Sequence, residues 1–199
     1  MPLRLVVDGV MAVSRSYNHA RALMGSLRTN PVHVVHPITR PSWSPTMVKA
    51  VPLPRNYRSV MPAVIVKDAP RALDFYARAF GMEVCRKYLM PDGTIGHAEL
   101  RHGDTILALA ESTPDWGVTA PDPAAPSSAS MTLWVDNVDV AFERAVAAGA
   151  TVVGKLDDQF HGARSGTLRC PFGHRWILAT FTQDLPEAEI QKRLTALFG

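Results

Sequence analysis

From Val60 onward, apolar and polar positions follow two periods in turn, one suited to a strand and one to a helix. Val60 to Val66 is short and β-branched and reads as a strand. Asp68 can accept hydrogen bonds from the free amides of a helix start, and Pro70 fits a first turn, where its missing N–H costs nothing. Ala72, Leu73, Phe75, Tyr76, Ala79 and Phe80 recur at three- and four-residue steps, which predicts an amphipathic helix closed by Gly81. Three strands follow, Met82 to Tyr88, Ile95 to Arg101 and Thr105 to Ala110. They are joined by turns at Met90-Pro91-Asp92-Gly93 and His102-Gly103-Asp104.

The same order then returns. Ser130 to Val135 predicts a strand, Asp136 or Asn137 a helix cap, and Val138, Ala141, Phe142, Ala145 and Val146 an inward stripe ending at Gly149. Thr151 to Leu156, Gly166 to Arg169 and Arg175 to Phe181 complete a second set of three strands. Asp68 to Gly81 and Asp136 to Gly149 are both thirteen residues apart, and an offset of 68 carries Leu100-Arg101 onto Leu168-Arg169. The predicted fold class is therefore α+β, built from two βαβββ modules at residues 47–111 and 130–185. Residues 112–129 contain Pro114, Pro121, Pro123 and Pro126 and read as a stiff linker, with Trp116 expected to pack back onto the body. Residues 186–199 predict a terminal helix with Ile190, Leu194 and Leu197 on one face, suited to covering a sheet edge or a dimer contact.

Composition narrows the partners. The chain is 47% hydrophobic and 20% charged, ordinary for a globular protein. No apolar run approaches the roughly 18 to 20 residues of a membrane span, so no membrane partner is expected. The net charge of +3 comes from residues 1–46, which hold five arginines against Asp8 alone; residues 47–199 hold sixteen basic and seventeen acidic side chains. A phosphate-tracking surface belongs on the folded body, so nucleic acid is not an expected partner. Residues 1–46 lack periodicity and have the arginine-rich character of an organellar transit peptide. The alternative, translation starting at Met47 behind an unstructured or over-called extension, is favoured, because the marks of a secretory signal are missing. Cys85 and Cys170 form neither a disulfide framework nor a zinc pattern, which fits a reducing, cytoplasmic setting. No GxGxxG, P-loop, GxSxG or HExxH pattern occurs, and no cofactor is expected.

The stretches KDAPRALDFYARAFG (67–81) and CPFGHRW (170–176), set in two βαβββ modules, resemble the vicinal oxygen chelate superfamily. That group includes glyoxalase I, bleomycin-resistance proteins and extradiol dioxygenases. DGTIGHAELRHGD (92–104) and DDQFHGARSGTLRCPFGHRWILAT (157–180) are similar to its PhnB-like branch. The resemblance spans residues 47–185. It implies sheets that each curl into half of a cup around a ligand cavity, with modules paired within a chain or across a homodimer.

Metal-dependent members draw His, Gln or Glu from the first and last strands of each module. Here the matching positions hold Met61, Ala108, Ser130 and Ile177, and a two-residue slip offers only Ile106, Ala110, Arg175 or Ala179. None makes a usual divalent site, and Glu111 is an odd number of residues away, facing the helix side or the rim. No metal site is inherited, which argues against glyoxalase I or extradiol dioxygenase activity.

Strand alternation nominates the ligand-facing side chains instead. Met61, Ala63 and Ile65 point inward on one first strand and Ser130, Thr132 and Trp134 on the other; His97, Glu99 and Arg101 share a face of the middle strand, and Arg175 joins from the last. His97 and Glu99 fit a base with its orienting carboxylate, or a hydrogen-bonded pair that satisfies buried polar groups; the second is favoured with no nucleophile beside them. Trp134 and Trp116 offer aromatic walls for a flat ligand or are core packing. Arg164 either contacts a ligand or braces its loop against a carboxylate. His174 is expected to hold its hairpin. The expected function is metal-independent binding of an aromatic or amphipathic small molecule; the alternative is a lyase, isomerase or oxygenase-like enzyme using His97 and Glu99 or a non-standard metal site.

Overall fold

Helix α1 (Ala69–Phe80) starts and stops where the side chains dictate. The Asp68 carboxylate accepts from the Arg71 amide at 3.0 Å, and Pro70 lies in the first turn. Glu111 adds a second cap, its Oε1 accepting from the Ala69 amide at 3.0 Å. That contact puts Glu111 on the helix side of its strand. Gly81 closes the helix at φ 68°, a left-handed conformation that favours glycine. In this computed structural model the described residues are 52–53 and 57–198; the expectations for residues 1–46 lie outside them.

Strands β1 (Ala63–Val66), β2 (Glu83–Leu89), β3 (Ile95–His102) and β4 (Thr105–Glu111) form one mixed sheet in the order β1-β4-β3-β2. Strands β5 (Ser130–Trp134), β6 (Thr151–Asp158), β7 (Ala163–Arg169) and β8 (Arg175–Phe181) form a second in the order β5-β8-β7-β6. The parallel pairs are β1 with β4 and β5 with β8. Helix α2 (Val138–Ala147) follows β5, capped by Asn137, whose side chain accepts from the Val140 amide.

Two strand starts differ from the periodic reading by three residues. β1 begins at Ala63 rather than Val60, because Pro62 has no N–H for the ladder, although its carbonyl still accepts from Ala108 at 2.9 Å. Met61 is therefore not a strand residue. β7 begins at Ala163, three residues before Gly166. The terminal helix α3 (Glu187–Phe198) carries no buried residue; on its predicted apolar face Ile190 and Leu194 are half-buried and Leu197 is exposed.

Both modules share one core. Val64, Val66, Ala98, Leu100, Leu107 and Leu109 of the first sheet and Leu133, Leu168, Trp176 and Leu178 of the second join one cluster with the buried faces of α1 and α2. Tyr76 and Phe80 of α1 reach the Trp176 indole, ring centroids 5.7 and 4.7 Å apart. By alternation, the opposite face of each sheet is turned away from this shared core. The two faces nominated for a ligand thus point away from each other. Among the described residues, no helix is long and apolar enough to cross a membrane.

Candidate ligand-binding site

The first sheet brings His97 and Glu99 together on its outer face, Nε2 to Oε1 3.3 Å, both buried although strand-borne and polar. Two further groups close over them. The Tyr57 phenol donates to Glu99 Oε1 at 2.5 Å, and Arg86 Nη1 donates to Glu99 Oε2 at 3.3 Å and also to the Tyr57 oxygen. The Arg86 guanidinium carbon lies 5.5 Å from the Tyr57 ring centroid, and Tyr88 stacks on His97 at 6.0 Å. Burial and the adjacent Glu99 carboxylate push the Tyr57 hydroxyl up to about 12.

Arg86 reaches this face through a bulge. Cross-strand partners run Glu83 to Arg101 and Val84 to Leu100, then skip Cys85 so that Arg86 faces Glu99. The second sheet repeats the irregularity at the same offset: Val152 pairs with Leu168, Val153 is skipped and Gly154 faces Thr167. Simple alternation along β2 cannot foresee Arg86, and Tyr57 precedes any periodic segment. Both were missed for those reasons.

Of the other nominated residues, Ile65 lies on the outer face of β1, and Arg101 sits exposed at the strand end, donating to Glu83 at 2.5 Å. On the second sheet Ser130 pairs with Arg175, Thr132 with Ile177 and Trp134 with Ala179. Trp134 lies parallel to Phe181, centroids 4.3 Å apart, at the mouth of an open groove of about 470 Å³ lined by Trp134, Val135, Asp136, Thr180 and Phe181. Phe181 was also missed, although alternation from Arg175 points to it. Arg164 binds Asp139 at 2.8 Å and Asp158 at 3.4 Å, so it braces the loop against two carboxylates. Trp116 lies in a 3-10 turn in a different compact unit from the sheets and is 44% exposed. His174 holds its hairpin as expected, its carbonyl accepting from the Cys170 amide at 2.9 Å. Cys85 and Cys170 are free thiols.

Residues 58–178 match the model of the Glyoxalase/Bleomycin resistance protein/Dioxygenase superfamily. The chain belongs to that superfamily. It is 36% identical over 141 residues to an uncharacterised protein of Mycobacterium bovis, covering 69% of this chain and 93% of that one. Its fold is like that of a glyoxalase/bleomycin resistance protein/dioxygenase from Nocardioides, with TM-score 0.50, 20% identity and coverage of 66% of this chain and 89% of that one. An Arabidopsis thaliana gene product gives TM-score 0.51 at 21% identity, covering 62% and 98%.

The metal-dependent pattern of the superfamily does not fit these residues. Across the first sheet one row reads Ala63, Ala108, Glu99, Arg86; across the second it reads Thr132, Ile177, Thr167, Gly154. Glu99 alone has a usual ligand side chain, and its oxygens are taken by Tyr57, His97 and Arg86. Among the described residues no three His, Cys, Asp or Glu side chains gather to hold an ion.

Proposed function

We propose that this superfamily member binds an aromatic or amphipathic small molecule against the outer faces of its sheets without a metal. The observation that carries the reading is the exposed Trp134–Phe181 pair. Two large aromatic rings lie in parallel in water beside an open groove, where a core role would have buried them. Because the two outer faces of one chain turn away from each other, enclosing a ligand between a first and a second sheet requires another copy, and a homodimer is part of the proposal. Val84 and Leu89 on β2 and Val152 and Val153 on β6 leave apolar surface exposed on strands at the sheet edges, available to such a partner.

A thermal-shift screen with flat aromatic compounds tests the binding reading, since a ligand selective for the folded state raises Tm. Hits whose effect disappears in Trp134→Ala support it; a screen that moves nothing counts against it. Light scattering tests the assembly, a monomeric mass removing the enclosed-cavity part.

The enzymatic alternative rests on the 3.3 Å His97–Glu99 contact. It is less favoured because Glu99 already receives hydrogen bonds from Tyr57 and Arg86. Alanine at either position that alters stability but no turnover or binding would end it.

A further inference from the structure

We propose that the His97–Glu99 face of the first sheet is a binding site for a phenol, which Tyr57 fills from within the chain. The idea rests on the small-molecule reading but on a different sheet from the Trp134 groove. Three of the four polar members are fixed by strands: Arg86 by β2, His97 and Glu99 by β3. Tyr57 belongs to no strand or helix and precedes β1. It is the one member that can leave without breaking a sheet.

The place it occupies is shaped for its functional group. The phenol O–H donates to Glu99, its oxygen accepts from Arg86, and the ring lies beside the guanidinium. A free phenol in that position makes the same three contacts. The buried Glu99 side chain, 5% exposed, also restricts what can replace Tyr57. Withdrawing a donor from a buried carboxylate costs free energy, so an incoming aromatic that brings its own O–H is favoured over one that does not. A site built around a hydroxyl rejects the analogue lacking one far more strongly than a site built on shape. The raised proton affinity of the Tyr57 hydroxyl agrees: the place favours a neutral phenol over a phenolate.

Since Tyr57 is tethered beside the site, it competes at a high effective concentration, and removing it strengthens binding of a free phenol. The experiment compares p-cresol with toluene, its counterpart without the hydroxyl, on the full chain by calorimetry and thermal shift. In Tyr57→Ala, p-cresol is expected to bind about ten-fold tighter than in the unsubstituted protein and to raise Tm, while toluene does neither. Equal affinity of p-cresol for both proteins, or equal stabilisation by toluene, overturns the proposal. Should Tyr57→Ala not fold, Tyr57→Phe keeps the ring and loses the hydroxyl. A gain in p-cresol affinity there supports the proposal, and none overturns it. If p-cresol binding is instead lost in Trp134→Ala, the phenol lies on the second sheet; this proposal then falls while the small-molecule reading stands.

Discussion

The Trp134 indole lies on the Phe181 ring with planes 3° from parallel, and the two residues remain 46% and 65% exposed. Rings so exposed contribute little to the fold beyond their own contact, about 0.5–1.5 kcal/mol. Trp134→Ala is therefore expected to cost about 1 kcal/mol or less while removing the response to aromatic ligands. Trp176, 3% exposed in the shared core, is the contrast, and Trp176→Ala is expected to cost about 3–5 kcal/mol. Denaturant melts of both variants make the comparison; a large loss at Trp134 would assign it to structure.

Tyr57 predicts an alkaline limit. Its hydroxyl is raised from 10.0 to about 12 by burial and by Glu99. The unfolded chain then gives up its proton first, so the contribution to stability is full below about pH 10 and is lost as pH rises from about 10 toward 12. Tyr76, buried in the core, is raised as well, so the wild type alone does not isolate Tyr57. The difference between wild type and Tyr57→Phe in urea melts does. It should be constant at neutral pH and shrink across that window; a difference that stays flat would contradict the hydrogen bond to Glu99.

How far these features were legible varies with the physics behind them. Asp68, Pro70 and Gly81 announce α1 because caps and φ preferences are local properties, and the offset of 68 places both sheets. Alternation put Trp134 on the face opposite the core residue Leu133, and Glu111, expected on the helix side or the rim, lies on the helix side. Arg86 escaped because the skipped residue Cys85 reverses the alternation along β2. Tyr57 escaped because its only signal is a long-range contact 42 residues away. The parting of the two outer faces follows from which helix packs on which, and that depends on tertiary aromatic contacts between α1 and Trp176.

At the acid end the relevant group is His174. Burial lowers it from 6.5 to about 4, and its Nδ1 lies 3.4 Å from the Tyr76 hydroxyl and 3.8 Å from the Cys170 sulfur. The folded state resists a proton that the unfolded chain accepts, so stability is full above about pH 6.5 and falls as pH drops toward about 4. His174→Gln is expected to flatten this window, read from melting temperature against pH. Carboxylates such as Asp139, held low by Arg164, lose stability only at lower pH and should leave the upper part of the window unchanged.

Gly166 tests the packing that joins α2 to the second sheet. A Cβ there would lie 2.4 Å from Phe142 Cε2 and 3.1 Å from Leu156 Cα, closer than carbon atoms pack. The matching residue of the first module is Ala98, fully buried, so the position itself accepts a methyl group when no such ring stands over it. Gly166→Ala is expected to destabilise by about 1–3 kcal/mol through overpacking. Adding Phe142→Leu should recover part of that loss, because the shorter side chain withdraws the clashing ring edge, although it forfeits some burial of its own. The two substitutions would then be non-additive in a double-mutant cycle. Additive costs would mean that backbone strain near Leu156, rather than the Phe142 ring, excludes a side chain at this position.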